Sequence, residues 1–374
     1  MKVKKIVLTG GPCAGKTTAL QQIEREFTEK GYHVLIVPEA ASILIGAGIR
    51  PFGPYVMDMA EFQKYVIGLQ MDLENFAEKA AESETNLCLI VCDRGILDDR
   101  AYVDESDWNN LLHEFKVTNF DLMNRYDLII HLRTAALGKE EFYTLDNNNA
   151  RTETPSEARE KDQKTLEAWL GHEKVKVIGN EMSFQDKIRK VVEEIYRSLE
   201  KPYPLQIQYK YLLSELDVSK MNEIQFVKLE LEQYITEEDG KETIYRKTGR
   251  GGEEKYTAIT KMDTDINHER ITTSRLITDV EYYQNMPPKI TPIRKTRYCF
   301  EYQNQYFRLD IFENGLQLLE VEPTTVKQPV ALPDFMTIEK EVTDDVWYRN
   351  SSVFKRQNSF ANCRNQKLLQ KKMS

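Results

Sequence analysis

Apolar positions follow two different rhythms along this chain. Up to about Lys201, short apolar runs alternate with segments of helical period. Lys5 to Thr9, Tyr32 to Pro38, Asn86 to Cys92, Asp127 to Leu132 and Val175 to Ile178 read as buried strands. Between them, Thr18 to Lys30 places Leu20, Ile23 and Phe27 on one helical face. Met59 to Ala81 does the same with Phe62, Val66, Leu69, Leu73 and Phe76. Thr154-Pro155-Ser156-Glu157 predicts a helix start, with Thr154 as cap, Pro155 in the first turn and Glu157 closing a capping box. A further helix from Ser183 to Leu199 stops before Pro202. Strands alternating with helices predict an α/β domain over 1–201, a doubly wound parallel sheet covered on both faces.

From Tyr203 the period drops to two. Gln206 to Leu213, Ile224 to Ile235, Thr243 to Lys247, Tyr256 to Lys261, Arg297 to Tyr302, Tyr306 to Phe312 and Leu316 to Glu322 read as strands. Asp239-Gly240, Gly249 to Gly252 and Asn314-Gly315 supply turns between them. The pattern predicts an α+β domain over 203–354, its antiparallel sheet curled into a β-barrel. Residues 355–374 hold six basic and no acidic side chains and read as a flexible basic tail.

At 374 residues, 41% hydrophobic and 30% charged, the chain has the make-up of a folded globular protein with room for two or three cores. A formal net charge of −9 argues against broad affinity for nucleic acid. No apolar run approaches the ~18 residues of a bilayer span, and the basic-then-apolar N-terminus is too short for a signal peptide. The scattered Cys13, Cys88, Cys92, Cys299 and Cys363 show no metal-ligand spacing, which points to a reduced, cytoplasmic setting.

Gly10-Gly11-Pro12-Cys13-Ala14-Gly15-Lys16-Thr17 satisfies the phosphate-loop pattern, and it lies between a predicted strand and a predicted helix. Backbone amides there, continuing to Thr18, would cradle a polyphosphate at a helix N-terminus. Lys16 would reach the β- and γ-phosphates, and the Thr17 hydroxyl would ligate Mg²⁺. Asp93, closing the third strand, resembles a Walker B carboxylate that holds Mg²⁺ directly or through water; capping a turn is its structural alternative. Glu39 and Arg94 also stand at strand ends, where ligands of such sheets bind.

A phosphate loop, a carboxylate after the second strand and Asp93-Arg94-Gly95 after the third together resemble the deoxynucleoside-kinase and nicotinamide-riboside-kinase group. The resemblance implies Glu39 as the base on an acceptor hydroxyl and Arg94 as a clamp on the transferred phosphoryl. Asn149-Ala150-Arg151, followed by a helix with Arg159, Asp162 and Trp169, is similar to the lid of that group. Arg151 and Arg159 would then close on the triphosphate. Ordinary solvated helix charges look the same, and His172 reads as a structural helix-end residue.

In the second half, charged residues alternate along strands: Glu230 with Glu232, Arg308 with Asp310, Glu320 with Glu322, Lys295 with Arg297, Lys210 with Gln208. Such a face lines either a ligand site or solvent, and periodicity does not choose. The order of elements resembles a CYTH domain of the triphosphate tunnel metalloenzymes. Gln206 and Gln208 stand where that family has two carboxylates, and Ile244 stands where one of its arginines belongs. The departure makes triphosphate hydrolysis in the barrel doubtful, although Glu320 and Glu322 could hold one metal ion. Lys210, Arg246, Lys261, Lys295 and Arg297 are expected to take a phosphorylated or anionic-lipid ligand. Thr260-Lys261-Met262-Asp263 imitates a guanine-reading motif but falls on a predicted strand.

The two halves in this order resemble the TRPL translocation-defect protein family. That resemblance implies ATP or GTP with Mg²⁺, a phosphoinositide or polyphosphate ligand, and peripheral membrane contact in traffic. The leading expectation is a nucleotide-dependent regulatory protein with slow hydrolysis. The alternative is a kinase transferring the γ-phosphate of ATP to a small nucleoside-like compound.

Overall fold

Five parallel strands set the frame of the first half. The structure, a computed structural model, describes residues 3–53, 57–142, 154–199, 208–238, 241–263, 270–288, 290–324 and 329–359. Two units divide the chain, Met1–Glu200 and Lys201–Ser374.

In unit 1 the strands are β1 (Val3–Gly10), β2 (His33–Val37), β3 (Cys88–Asp93), β4 (Leu128–Leu132) and β5 (Val175–Ile178), ordered β2-β3-β1-β4-β5. All their ladders are parallel. The central strands β1, β3 and β4 are buried along nearly their whole length, as continuous apolar runs require when helices cover both faces. Edge strand β2 is only half-buried.

Helix α1 (Lys16–Glu29) buries Leu20, Ile23 and Phe27 as the periodicity predicts, each worth about 1.5–3 kcal/mol. They share a core with β1, β3, β4 and Ile188, Val191, Val192 and Ile195 of α7 (Phe184–Leu199). α2 (Ala40–Gly46) packs Ala40 against Phe62 and Val66 of α3 (Met59–Glu82). Phe76, expected on the buried face of α3, is instead 64% exposed. The buried stripe runs through Gln70 and Glu74, two polar residues that hydropathy counts as surface. Glu74 accepts from Lys5 Nζ (2.9 Å), Arg125 Nε (2.9 Å), Tyr126 Oη (2.7 Å) and Gln70 Nε2 (3.0 Å), so its burial is fully compensated.

After β3 the chain makes a 3-10 segment, Ile96–Tyr102, then α4 (Glu105–Phe115) and α5 (Asn119–Met123). α6 (Pro155–Ala168) starts where its sequence predicts: Thr154 accepts from the Glu157 N–H, and Glu157 reciprocates.

Unit 2 is one nine-stranded antiparallel sheet. Its strands are β6 (Tyr209–Leu216), β7 (Phe226–Glu238), β8 (Lys241–Arg250), β9 (Glu253–Asp263), β10 (Arg270–Ile277), β11 (Ile293–Tyr302), β12 (Gln305–Phe312), β13 (Gln317–Val321) and β14 (Met336–Glu341). Two short helices interrupt it, α8 (Val218–Met221) and α9 (Asp279–Gln284). The spatial order is β10-β9-β8-β7-β11-β12-β13-β6-β14. The Glu320 carboxylate on β13 acts electrostatically on the Lys261 ammonium of β9. In a flat sheet the five ladder steps between those strands would span about 24 Å. The sheet therefore curls. β10 and β14 were not read from the sequence, and residues 350–359 are helical, so the helix runs past the expected tail boundary at Lys355. Residues 360–374 lie outside the described residues.

β1 and β4 approach so closely that a Cβ on Gly10, whose φ is 138°, would stand 2.1 Å from the Leu132 carbonyl oxygen. Gly10→Ala should therefore destabilise unit 1 by more than about 2 kcal/mol in urea unfolding; a wild-type midpoint would show that the strands can separate at no cost.

Candidate functional site

The phosphate loop leaves β1 at Gly10 and enters α1 at Lys16. Within it Cys13 takes φ 56° and Gly15 φ 93°. Lys16 Nζ folds back to donate to the carbonyls of Gly10 (3.1 Å) and Gly11 (3.3 Å). Ala14 is buried beneath the loop, while Thr17 and Thr18 are exposed on the first turn of α1.

A buried carboxylate from α6 braces the loop. Asp162 Oδ1 accepts from the N–H groups of Gly11 and Thr134, each at 2.9 Å, and Arg133 Nη1 donates to Oδ2 at 3.0 Å. His131 Nε2 lies 3.3 Å from Oδ1. Burial alone would raise this carboxyl; His131, Arg133 and the Gly11 N–H together hold it far below the usual range. The Thr134 hydroxyl donates to the Pro12 carbonyl. Sequence reading named Asp162 only as a helix charge. The missed signal was its place on the apolar face of α6, in step with Ala158, Thr165, Leu166 and Trp169.

The predicted strand-end residues converge. Lys16 lies within electrostatic reach of Arg94, Asp93, Glu39 and Asp98. Arg94 Nε donates to Glu39 Oε1 at 2.6 Å, and Ser42 Oγ donates to the other Glu39 oxygen at 2.6 Å. Burial opposes the Glu39 charge, but Arg94, Lys16 and these hydrogen bonds hold its carboxyl down at about 2. Asp98 is fully buried and accepts from Thr9 Oγ1 (2.7 Å) and Trp169 Nε1 (2.6 Å). Arg94 itself sits at φ 71°, its N–H bonded to the Leu8 carbonyl.

Asp93 and Arg94 each keep one buried polar atom, Oδ1 and Nη1, without a hydrogen-bond partner. Burial raises the Asp93 carboxyl pKa. An orphaned carboxylate oxygen beside a phosphate loop fits a divalent cation or that cation's water. Mg²⁺ typically takes one or two protein oxygens and completes its shell with phosphates and water.

Of the two arginines expected to close on the triphosphate, Arg159 donates from Nη1 to the Ala136 carbonyl at 3.0 Å. Arg151 lies outside the described residues. His172 is structural as read: Nε2 sits 3.1 Å from the Tyr126 carbonyl, and Nδ1 accepts from the Lys174 N–H at 3.1 Å.

In unit 2 the charged residues divide between an outer and an inner face. Glu230 is exposed and Glu232 pairs with Arg294 at 2.7 Å on the outside. On the inside, Arg297 opposes Asp310, Arg308 opposes Glu320, Glu320 opposes Lys210, and Glu242 opposes Lys261. Lys295 Nζ and Arg297 Nη2 share Asp310 Oδ2 at 2.6 and 2.8 Å, while Arg297 Nε takes Oδ1 at 2.6 Å. Lys210 pairs with Glu320 at 3.0 Å, and Arg308 with Glu322. Glu320 and Glu322, expected to be able to hold a metal, are thus engaged by cations. Arg246 Nε donates to Gln233 Oε1 at 3.3 Å. Burial lowers Lys261, and it lowers Lys295 to about 8. Gln208 is half-buried, Gln206 lies outside the described residues, and Thr260 to Asp263 lie within β9. Among the described residues no three His, Cys, Asp or Glu side chains converge as a metal cluster.

Residues 5–187 match a family model described as an AAA domain. Unit 1 is therefore an AAA-type nucleotide-binding domain. Among solved structures, the inorganic triphosphatase NE1496 is similar at 23% identity, over 41% of this chain and 95% of that one, with a TM-score of 0.30. A second structure of the NE1496 protein gives 23% identity over 40% and 97%, with a TM-score of 0.29. The PH1819 protein from Pyrococcus horikoshii OT3 gives 16% identity over 32% and 78%, with a TM-score of 0.26. No curated protein matches the chain. Among the described residues no helix is long and apolar enough to cross a membrane.

Asp310→Ala would strand two buried cations, Lys295 and Arg297. The variant should lose about 3–5 kcal/mol of unit 2 stability in denaturant unfolding; a loss below about 1 kcal/mol would mean the pair is solvated.

Proposed function

We propose that unit 1 binds a nucleoside triphosphate with Mg²⁺ and hydrolyses it slowly, and that its nucleotide state regulates capture of a phosphorylated ligand by unit 2. The observation that carries this reading is the group around the loop: Lys16 folded over it, Arg94 anchored by Glu39, and Asp93 with one unpartnered oxygen. Asp93 and Thr17 would hold Mg²⁺, whose charge would help neutralise the phosphates. Lys16 would exchange its two carbonyl partners for phosphate oxygens. Arg94, fixed by two carboxylates, would face charge developing on the terminal phosphoryl.

The kinase alternative asks Glu39 to act as a base. A carboxylate held at about 2 and occupied by Arg94 and Ser42 is weakly basic, which favours hydrolysis over transfer to a small hydroxyl compound. For unit 2, the expected ligand is a phosphoinositide headgroup or a polyphosphate at Lys210, Arg246, Lys261, Lys295 and Arg297. Lys210, Lys295 and Arg297 have carboxylate partners and Lys261 stands opposite Glu242, so the ligand would have to compete with these carboxylates for the cations. Membrane traffic remains an implication of the resemblance to TRPL-type proteins, supported by this anionic ligand class.

Turnover of labelled ATP and GTP, with and without a nucleoside panel, tests the assignment. Inorganic phosphate alone is expected; a phosphorylated nucleoside would replace regulation by kinase activity. Lys16→Ala should weaken triphosphate binding by about 2 kcal/mol, roughly thirtyfold, with unchanged unfolding. Full affinity in that variant would remove the site.

Burial, then the Arg94 charge, lowers Lys16 to about 8 in the free protein. A bound triphosphate favours the ammonium and raises that pKa, so binding takes up protons as pH climbs through about 8, and affinity falls above it. The terminal phosphate titrates lower, near pH ~6, and does not share this window. Calorimetry above pH 8 in two buffers of different ionisation enthalpy should give different heats; identical heats would contradict the assignment.

A further inference from the structure

Phe184 opens α7 at the carboxyl end of β5, and its ring lies against the phosphate loop. A Cβ built on Gly15 would stand 2.7 Å from Phe184 Cε2 and 3.2 Å from Cζ. The same ring is 52% exposed, although buried Ile188, one turn further along α7, joins the core that holds α7 to α1. Thr17 and Thr18, which follow the loop, are exposed as well.

The backbone that carries the ring is held from both sides. Ser183 Oγ accepts from the Asp186 N–H at 3.1 Å, and the Ser183 carbonyl accepts from the Lys187 N–H at 2.9 Å, so the helix start is capped. Upstream, Asn180 Nδ2 donates to the carbonyls of Thr134 (2.8 Å) and Leu137 (2.7 Å). Lys187 Nζ ties Asn180 Oδ1 to the Arg133 carbonyl, each at 2.7 Å. A flat apolar surface is thereby held beside the backbone that grips phosphates, with its open side in water.

We propose that Phe184 is the stacking platform for the nucleobase, and that it makes the site select nucleoside triphosphates over inorganic polyphosphate. The inference rests on the triphosphate reading of the loop given above. Phosphates on the loop amides leave the nucleoside projecting from the α-phosphate, one ribose away from the neighbouring surface. An aromatic ring meets a base through its π-face, whichever base it is. The contact therefore rewards a nucleotide, adds nothing for a bare triphosphate chain, and discriminates little between ATP and GTP. It also gives Gly15 a second reason to be glycine, beyond its φ of 93°: a side chain there would push the platform away.

Calorimetry on the full chain, with Mg²⁺ and either ATP, GTP or inorganic tripolyphosphate, tests the proposal. Phe184→Ala should weaken both nucleotides about tenfold and leave tripolyphosphate within about twofold, while Phe184→Trp retains nucleotide affinity. Equal weakening of all three ligands would show that the ring only shapes the loop and would overturn the proposal. Unchanged nucleotide affinity in Phe184→Ala would overturn it too, as would native binding of tripolyphosphate as tight as that of nucleotide. If the native chain binds none of them, the triphosphate reading itself falls and the platform with it.

Discussion

The shape of the phosphate loop depends on Asp162. A carboxylate removed from water costs several kcal/mol unless its lone pairs are filled. Here two backbone N–H groups, from Gly11 and Thr134, and the Arg133 guanidinium fill them. The bonds tie together the loop after β1, the loop after β4 and helix α6. They also dispose of the Gly11 amide, which points into the protein, so the amides further along the loop and at the start of α1 are the ones left to meet a ligand. Gly11 has no room for more: a Cβ there would approach Asp162 to 2.8 Å.

Three buried charge clusters then differ in one respect, whether anything is left over. Around Glu74 every oxygen has a donor, and the cluster binds α3 to the sheet. Inside unit 2, Asp310 satisfies Lys295 and Arg297, while Glu320 and Glu322 satisfy Lys210 and Arg308; this is how a charged interior can fold at all. Beside the phosphate loop the account does not close. Asp93 keeps an unpartnered oxygen, and Lys16 hydrogen-bonds to two neutral carbonyls while Asp93, Glu39 and Asp98 act on it only through space. An incomplete cluster of this kind is where a ligand gains most, because the cost of desolvating the groups has already been met in folding.

Local rules were enough to read the parallel sheet, the Thr154 cap and the loop itself, because each is fixed by neighbours in sequence. Strand-end placement also brought Glu39, Asp93 and Arg94 to one point, as the sheet order requires. Long-range pairing was what escaped. No spacing announces that Asp162 meets Gly11, 151 positions away, or that Glu39 will be occupied by Arg94, 55 away. Phe76 and Phe184 both fit helical apolar faces yet stand exposed, and only the fold separates an incidental exposure from one beside the loop. Strands β10 and β14 lacked clean alternation; their ladders with β9 and β6 define them.

Unit 2 carries the consequence of Gln208 furthest. A carboxylate there would have offered a cation partner to the inner face beside Lys210, which instead pairs with Glu320 across the β6–β13 ladder. Glu320 in turn also faces Arg297 and Arg308, at 3.7 and 3.8 Å. Arg297 and Arg308 have carboxylates of their own in Asp310 and Glu322, while on β9 the Lys261 ammonium is disfavoured by burial, Arg246 and Lys210 and favoured by Glu242 and Glu320. The interior of unit 2 is thus built on mutual compensation, with ammonium and guanidinium groups occupying Glu320 and Glu322.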